Sequence, residues 1–366
     1  VMNSARDFTN KEILPLIDDA FLEAEFPAEI IPKLGEMGFL GAPLHGHGCP
    51  GLGYVAYGLI NMMLEAGDSA MRSFNSVQTS LVMLPISQFG TEAQKELWLP
   101  KLASGEAIGC FGLTEPDHGS NPGDMETRAE QVADGFKLNG AKMWITNGSI
   151  ADIAVVWAKL DGRVRGFLVE KDRDGFSTKL MTRKHSLRAS ITSELIFDDC
   201  IIPEENLLPE TDGLKSPFTC LNSARLGIAW GSIGAAMACY QTALDYSLTR
   251  VQFNDQPIAS HQLIQQSLAD MVSEITKAQF LTLHITRLKE QGKMKPEHIS
   301  MLKRNNVRMA LDIARKSRDI LGANGISAEY PVMRHMCNLE SVLTYEGTEN
   351  IHTLIIGKAI TGIAAF

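Results

Sequence analysis

Two segments in the middle of the chain carry groups that could hold a planar ligand with polar edges. Residues 111–120 read FGLTEPDHGS, and residues 142–148 read KMWITNG. Each combines hydroxyl groups and backbone amides with an aromatic face. Either segment alone could equally be a turn without a ligand, and Trp144 could be an ordinary core aromatic. Their meaning therefore depends on the rest of the chain.

A glycine-rich loop gives a second candidate site. Residues 46–51, GHGCPG, match the letters of the dinucleotide fingerprint G-x-G-x-x-G. A true fingerprint follows a strand and opens a helix, whereas a helical pattern precedes this loop and Pro50 lies inside it. His45, His47 and Cys49 could be imagined as metal ligands, but no second cluster accompanies them. We therefore predict a tight glycine turn and no metal.

Composition limits the classes of partner. The chain has 366 residues, 45% of them hydrophobic, and a formal net charge of −9, which argues against a nucleic-acid partner. Its six cysteines are scattered without a C-x-x-C pair, which predicts reduced thiols in bacterial cytoplasm or, in a eukaryote, the mitochondrial matrix. No apolar run reaches the roughly 18 residues that a membrane span needs.

Three regions must position these segments. Apolar residues recur at helical spacing in residues 1–107, and again in long stretches of residues 213–366. Residues 108–212 instead contain short β-branched runs such as 153–157, 166–169 and 194–197. We predict a mainly α protein with a β-domain: an N-terminal helical domain, a central β-barrel or sandwich, and a C-terminal helical bundle. Clefts between such domains are common ligand sites.

Four motifs, in this order, resemble the acyl-CoA dehydrogenase family over nearly the whole chain. They are residues 111–120, residues 142–148, the RVQF of residues 250–253, and the LGANG of residues 321–325 leading to YEGT at 345–348. The resemblance implies a helical, β, helical fold that binds FAD without a Rossmann unit. That expectation agrees with the three regions and with rejection of the glycine loop.

The resemblance also implies which residues contact FAD. Those on the flavin side are Phe111, Leu113, Thr114, Gly119, Ser120, Trp144 and Thr146, with Thr348 and Asn350 near the C-terminus. Those that reach the diphosphate and adenosine from a neighbouring subunit of a homotetramer are Arg250, Phe253, Gln262, Asp319 and Ala323. The chain departs from the family's R-x-x-F-G-x-P pattern, because Asn254 replaces the glycine and one residue is added. Asparagine can still adopt the left-handed backbone.

Glu346 matches the family's catalytic base, which removes the α-proton of the acyl thioester. The chemistry requires a carboxylate in a water-poor pocket, where desolvation raises its pKa. Some members place the base just before a helical arginine, but that position here is Ala224, before Arg225. Glu346 is therefore the predicted base.

Within the family, residues 65–73, 187–190 and 302–306 resemble the glutaryl-CoA dehydrogenase group. Arg72 matches the arginine that binds the far carboxylate of the substrate, and a buried carboxylate needs such a partner. Read alone, Arg72 could be a solvated charge at a helix end. The other residues that the resemblance assigns to the substrate are Glu65, Ser73, Ser120, Ser190, Thr192, Asn222, Arg225 and Tyr345.

The implied reaction is FAD-dependent oxidation of glutaryl-CoA followed by loss of CO₂, giving crotonyl-CoA, with electron-transfer flavoprotein as acceptor. Two alternatives stay open. One is a short-chain or non-decarboxylating acyl-CoA dehydrogenase or oxidase of the same architecture. The other is an inactive flavin or acyl-CoA binding protein, against which Glu346 argues, since such a protein needs no base.

Overall fold

The computed structural model describes residues 1–365. The first region is helical and contains α1 to α7. Their bounds are α1 Met2–Phe8, α2 Leu14–Glu23, α3 Ile30–Glu36, α4 Gly53–Gly67, α5 Ser69–Ser76, α6 Leu84–Phe89 and α7 Glu92–Ser104. Short π-helical segments at Thr9–Ile13 and Val77–Met83 join α1 to α2 and α5 to α6 without a break.

The middle region is one seven-stranded sheet. Its strands are β3 Gly109–Gly112, β4 Arg128–Val132, β5 Gly135–Thr146, β6 Ile153–Leu160, β7 Arg163–Glu170, β8 Phe176–Leu180 and β9 Thr192–Ile202. They lie in the order β3-β6-β4-β5-β9-β8, with β7 paired to β6. The three sequence runs predicted as strands fall inside β6, β7 and β9. β-branched and aromatic residues in these runs fit a pleated surface that packs on helices.

The C-terminal region is a bundle of long helices. They are α8 Lys215–Thr249, α9 Gln262–Glu290, α10 Pro296–Ile320, α11 Val332–Thr344 and α12 Glu349–Thr361. In α8 nearly every residue between Ser223 and Ala236 is buried, as expected of a helix that is apolar on all sides. The expected fold class is thereby confirmed, because helices, a β-domain and helices follow one another.

Two apolar clusters fix the site between them. The larger joins α1, α4 and α5 to α8, α9, α10 and α11, so the two helical regions share one core. A second cluster packs β3, β6 and β7 against α6, α7 and the start of α8. The two clusters therefore meet along the first third of α8, near Ala224 and Leu226, where a cleft between domains is expected.

The glycine loop forms a small hairpin, as a turn prediction requires. β1, His45–Gly46, pairs antiparallel with β2, Cys49–Pro50, and Gly46 and Gly48 have φ of 76° and 81°. His47 lies 3.0 Å from the Glu92 carboxylate.

In residues 1–365 the six cysteines are unpaired, and no helix combines the length and apolar character that crossing a membrane demands.

Candidate active site

A buried ion pair lies where α4 meets α5. Asp68 breaks the helix with extended backbone and caps α5 by accepting a hydrogen bond from the Ala70 amide at 2.7 Å. In a straight helix Glu65 and Arg72 would be about 10 Å apart along the axis, so the break lets them meet. Arg72 Nε donates to Glu65 Oε2 at 2.6 Å, and Ser69 donates to Glu65 Oε1 at 2.7 Å. Both charged side chains are at most 1% exposed.

The turn after α11 brings Glu346 beside this pair. Tyr345 ends α11 with extended backbone, and its hydroxyl accepts a hydrogen bond from Arg72 Nη2. Glu346 and Gly347 follow with φ of 53° and 96°, in the left-handed region. Thr348 then caps α12 through its side chain. The Glu346 side chain thus leaves a tight turn whose shape is unusual for a residue with a Cβ.

Two further cations hold the backbone of this turn. Arg225 of α8 donates from Nε to the Glu346 carbonyl oxygen at 2.8 Å. Lys303 of α10 donates from Nζ to the carbonyl oxygens of Tyr345 and Gly347, each at 2.7 Å. Three consecutive carbonyl groups therefore accept hydrogen bonds from buried cationic side chains, which are stronger than bonds between neutral groups.

The Glu346 carboxylate has the environment of a base. Within residues 1–365 its Oε2 atom is shielded from solvent and has no hydrogen-bond partner. Burial raises the pKa of Glu346 above its ordinary value, while the charges of Arg72, Arg225 and Lys303 oppose that rise. A poorly hydrated carboxylate of this kind binds a proton more readily than one on the surface. The arrangement can therefore accept a proton from a bound molecule.

Gly231 on α8 leaves the space that the ion pair occupies. A Cβ atom there would lie 1.9 Å from Glu65 Oε2 and 3.0 Å from Arg72 Cγ. Real atoms do not approach so closely, so any side chain at position 231 must displace Glu65. This glycine is required by packing and not by its backbone angles, since it lies inside a regular helix.

We expect Gly231→Ala to lower the free energy of unfolding by about 1–3 kcal/mol, because it overpacks a fully buried charge pair. Gly227→Ala is the matched control one turn earlier on α8, where the nearest atom, the Tyr57 hydroxyl, lies 3.0 Å from the added Cβ. Denaturant unfolding measures both. In a Glu65→Ala background the Gly231 substitution should cost less, and an unchanged cost would contradict the clash.

The β-domain segment at residues 111–115 is held rigidly against β5. Lys142 Nζ donates to Glu115 Oε1 at 2.7 Å and to the Leu113 carbonyl at 3.2 Å, and the side chains of Lys142 and Glu115 are both buried. Burial lowers the pKa of Lys142 to about 8, although the Glu115 carboxylate opposes the shift. The Glu115 carboxylate also accepts the Thr127 amide at 3.0 Å. This ion pair fixes the loop that follows β3.

Trp144 is not a core aromatic residue. The β5–β9 register shifts between Lys142 and Ile145, and at this irregularity Trp144 takes φ of 63° and is 60% exposed. The Met143 amide donates to the Thr114 carbonyl at 2.9 Å, which sets the indole beside the 111–120 segment. An exposed flat ring near hydroxyl groups fits the apolar face and polar edge of a flavin. Gly119 and Ser120 are exposed on the same segment.

A cavity of about 310 Å³ lies between the end of α2 and the loop before β9. Ser190 lines it together with Lys184 and Arg188. Lys184 Nζ donates to the Ser190 carbonyl at 2.6 Å and to the Thr192 hydroxyl at 2.8 Å. Burial lowers the pKa of Lys184 to about 8, and Arg188 adds to the shift.

A second cavity of about 260 Å³ lies at the far end of α8 and α10, where Arg250 and Ala323 line it. The loop that departs from the family pattern forms its rim. Phe253, Asn254 and Asp255 all have left-handed backbone, with φ of 58°, 53° and 54°, so Asn254 takes the conformation expected of the replaced glycine. Phe253 is 77% exposed. Gln262 and Asp319 are exposed at the start of α9 and the end of α10.

Six of the residues expected at the base and substrate lie in two hydrogen-bonded groups, which the peptide bond between Tyr345 and Glu346 joins into one network. One group is Glu65, Arg72 and Tyr345, and the other is Asn222, Arg225 and Glu346. Ser73 is buried beside Arg72 but makes no side-chain bond in this network, and Ser120 and Ser190 lie on the β-domain, outside it. Thr348 and Asn350 begin α12. Sequence reasoning gave no role to Lys303 or Gly231, although a lysine on the apolar face of α10 was a visible signal.

The chain matches three family models in order. They are the acyl-CoA dehydrogenase N-terminal domain over residues 1–106, the middle domain over residues 110–200 and the C-terminal domain over residues 211–361. Together they cover most of the chain.

Solved and curated proteins agree with these matches. A glutaryl-CoA dehydrogenase structure from Mycobacterium smegmatis is 53% identical with a TM-score of 0.98, covering 100% of this chain and 94% of that one. Another from the same organism, in complex with FADH2, is 50% identical with the same TM-score and coverage. The human mitochondrial short-chain specific acyl-CoA dehydrogenase is 34% identical over 97% of this chain and 88% of its own length.

The fold, the exposed indole ring of Trp144 and the solvent-shielded Glu346 Oε2 atom thus occur in a chain that the three family models match over most of its length. The cofactor that this architecture carries is FAD, as in the similar structure with FADH2. The chain belongs to the acyl-CoA dehydrogenase family.

Proposed function

We propose that this acyl-CoA dehydrogenase oxidises and decarboxylates glutaryl-CoA to crotonyl-CoA and CO₂. The observation that carries the proposal is the buried Arg72 guanidinium beside the Tyr345–Glu346 turn. The 53% identity to a glutaryl-CoA dehydrogenase supports it. A monocarboxylic substrate would need no such cation, because it brings no carboxylate into the pocket.

The balance of charge favours a substrate that carries its own carboxylate. Three cations, Arg72, Arg225 and Lys303, lie around two carboxylates, Glu65 and Glu346. When all five are ionised, one positive charge is in excess in a buried site. A free carboxylate at the end of a five-carbon acyl chain neutralises it, whereas a butyryl group leaves it uncompensated.

Arg72 also has donors to spare. A guanidinium carries five N–H groups, and within residues 1–365 its hydrogen bonds use Nε toward Glu65 and Nη2 toward Tyr345. The remaining N–H groups suit a carboxylate, which accepts two parallel bonds from an arginine. Glu65 keeps the guanidinium oriented and partly neutralised, so the clamp on the substrate carboxylate is weaker than that of an unpaired arginine.

In the oxidation step, the Glu346 carboxylate removes the α-proton of the acyl thioester. Bound FAD supplies the hydride acceptor for the β-carbon, which gives glutaconyl-CoA. The Glu346 Oε2 atom is shielded from solvent, which limits the access of water to a proton held there.

In the decarboxylation step, the bond between the terminal carboxylate and its carbon breaks. The electron pair moves into the conjugated thioester, and CO₂ leaves as a neutral molecule that Arg72 no longer binds strongly. Protonated Glu346 then returns its proton to the terminal carbon, which yields crotonyl-CoA. A carboxyl group whose pKa burial has raised is suited to both the base and the acid role.

The remaining site residues serve binding. Residues 111–120 and 142–148 hold the flavin end of FAD, and Ser190, Thr192 and Asn222 lie along the path of CoA. Arg250, Phe253, Gln262, Asp319 and Ala323 contact the diphosphate and adenosine of a FAD held mainly by a neighbouring subunit of a homotetramer. Large apolar side chains left exposed on α9, such as Leu263 at 77% and Phe280 at 72%, support such an assembly.

Electron-transfer flavoprotein is the proposed acceptor of the electrons. An oxidase of the same architecture would pass them to oxygen instead. Oxygen consumption during turnover distinguishes a dehydrogenase from an oxidase. Hydrogen peroxide formed in the same amount as product would show that the protein is an oxidase.

The test is product identification. The FAD-loaded protein is mixed anaerobically with glutaryl-CoA and a dye acceptor, and the acyl-CoA products are identified by mass, with butyryl-CoA in parallel. We expect crotonyl-CoA from glutaryl-CoA, with CO₂ released in equal amount. Glutaconyl-CoA as the final product would support the oxidation step and contradict the decarboxylation step.

The similarity to the human short-chain enzyme supports one second candidate, a short-chain dehydrogenase that does not decarboxylate. Faster oxidation of butyryl-CoA than of glutaryl-CoA would favour it. The excess positive charge around Glu346 argues for the dicarboxylic substrate.

A further inference from the structure

Lys303 is a buried cation without an acidic partner of its own. Its side chain is 1% exposed, and within residues 1–365 it forms no salt bridge with an aspartate or glutamate. It lies on the apolar face of α10, where Ile299, Leu302 and Val307 are also buried. A lysine is rarely buried in this way unless its charge is used.

Within residues 1–365 the amine of Lys303 bonds to backbone oxygens of the turn that carries Glu346 and to no other group. It donates to the Tyr345 and Gly347 carbonyls at 2.7 Å each, the two that flank the Glu346 carbonyl. Arg225 takes that middle carbonyl at 2.8 Å. Lys303 therefore links the carbonyl groups that precede and follow that of Glu346.

This turn needs an external brace. Glu346 has φ of 53°, a conformation that residues with a Cβ seldom adopt unless their surroundings enforce it. Gly347 cannot take a side chain without crowding, because its Cβ would lie 3.0 Å from His352 Nε2. The backbone is thus confined on one side by α12 and held on the other by Lys303.

We propose that Lys303 is the positioning residue for Glu346: its two hydrogen bonds fix the left-handed turn that directs the carboxylate, and its positive charge favours the ionised carboxylate. The inference rests on the proposed role of Glu346 as base, but it holds for either acyl-CoA substrate.

Lys303 is not alone in acting on Glu346. The ionisable groups that act on this carboxylate come from α4, α5, α8, α10 and the turn itself: Tyr57, Arg72, Arg225, Lys303 and Tyr345. His352 of α12 lies against the backbone of the turn. Burial lowers the pKa of Lys303 to about 7, opposed by Glu346 and reinforced by Arg225 and Arg72. An ammonium so close to losing its proton keeps it chiefly while Glu346 is ionised, so the two groups titrate together.

Two variants separate the brace from the charge. Lys303→Gln keeps a donor for one carbonyl but removes the charge, and Lys303→Met removes both. The rate of flavin reduction by acyl-CoA is measured against pH in single turnover, using whichever of glutaryl-CoA and butyryl-CoA the wild-type protein oxidises. Infrared difference spectra of the Glu346 carboxyl band, identified by its loss in Glu346→Gln, follow the same titration without turnover.

We expect the acidic limb of the pH profile to move alkaline by on the order of one pH unit in both variants, because a nearby cation no longer favours the carboxylate. The carboxyl band should move in the same direction. The limiting rate at high pH should fall roughly 10- to 100-fold in Lys303→Met and less in Lys303→Gln, since misplacement of a catalytic group by a fraction of an ångström slows proton transfer.

Arg304→Gln is the matched control. Arg304 is the next residue of α10, has a side chain that is 40% exposed, and donates to the Thr353 hydroxyl of α12 at 2.9 Å. We expect it to leave the pH profile and limiting rate unchanged. If Lys303→Met does not fold, the glutamine variant carries the comparison.

The outcomes are separable. The inference would be overturned if both Lys303 variants had the same acidic limb of the pH profile and the same limiting rate as the wild-type protein. A lower rate without any shift of the pH profile or the carboxyl band would also overturn it, since it would leave Lys303 a packing residue only. If instead the flavin of Glu346→Gln is still reduced at the wild-type rate, the assignment of Glu346 as base is wrong. That result alone would not contradict the bracing of the turn by Lys303.

Discussion

Replacing Glu346 with glutamine should slow flavin reduction by acyl-CoA by roughly 10²- to 10⁴-fold, the contribution of a positioned general base. The amide has nearly the shape of the carboxylate, so the turn held by Arg225 and Lys303 should persist. Binding of acyl-CoA and FAD should therefore survive. Anaerobic stopped-flow absorbance measures flavin reduction, and titration of the flavin spectrum measures binding.

Glu349→Gln is the matched control for this change. Glu349 lies three residues on, at the start of α12, and its carboxylate pairs with Arg308 at 2.9 Å and with Arg304 at 3.6 Å. Such a pair near the surface contributes little to stability, so flavin reduction should stay within about threefold. Equal losses in both variants would mean that negative charge in general, and not this carboxylate, supports the reaction.

The pH dependence gives the same prediction a sign. Burial raises the pKa of Glu346, and the base acts in its ionised form. The rate of flavin reduction should therefore increase with pH over a range that lies above the ordinary titration of an exposed glutamate. In Glu346→Gln this limb should disappear, whereas Glu349→Gln should retain it.

The order of the elements could be predicted because the periodicity changes twice along the chain. The spacing of Leu263, Leu268 and Ile275 indicates a helix, and they lie in α9. The run at residues 153–157 indicates a strand, and it begins β6. These patterns are local, so the residues themselves carry them.

The site could be predicted only in part. Motifs named Arg72, Glu65 and Glu346, but nothing in their spacing shows that Arg72 bonds to Glu65 at 2.6 Å and to the Tyr345 hydroxyl. That geometry depends on the helix break at Asp68 and on Tyr345 at the end of α11, 273 residues beyond Arg72. Contacts between such distant residues are set by tertiary packing.

Lys303 and Gly231 illustrate what remained hidden. A lysine on a helix is usually solvated, and its partners here are backbone oxygens, which no sequence motif marks. Gly231 lies in a regular helix, where glycine has no conformational reason to be preferred, and only the position of Glu65 explains it. Both roles follow from how α8 and α10 pack around the turn.

Arg72→Ala should lower kcat/KM for glutaryl-CoA by roughly 10²- to 10³-fold while changing that for butyryl-CoA by less than about tenfold. Removing the partner of a buried charge costs about 3–4 kcal/mol, because the substrate carboxylate would then be buried unpaired. Butyryl-CoA carries no terminal carboxylate and loses no such contact. Steady-state kinetics with both substrates measures the ratio.

The alanine variant also leaves Glu65 buried without its cation, so a loss of stability must be separated from a loss of recognition. Arg72→Met combined with Glu65→Gln removes both charges at similar volume, which avoids the unpaired carboxylate. This double variant should keep its fold and its activity toward butyryl-CoA while losing glutaryl-CoA. Its thermal unfolding should stay closer to wild type than that of Arg72→Ala.

Arg334 supplies the control for burial itself. It is also a buried arginine, 6% exposed, and pairs with Asp68 at 2.6 Å, but it makes no hydrogen bond to the Tyr345–Glu346 turn. Arg334→Met should lower the free energy of unfolding and reduce activity toward the two substrates in equal proportion. If Arg72→Ala also reduced both in equal proportion, Arg72 would be a structural residue and the dicarboxylic substrate would lose its main support. A selective loss in Arg72→Ala alone ties the excess positive charge of the pocket to the carboxylate that it binds.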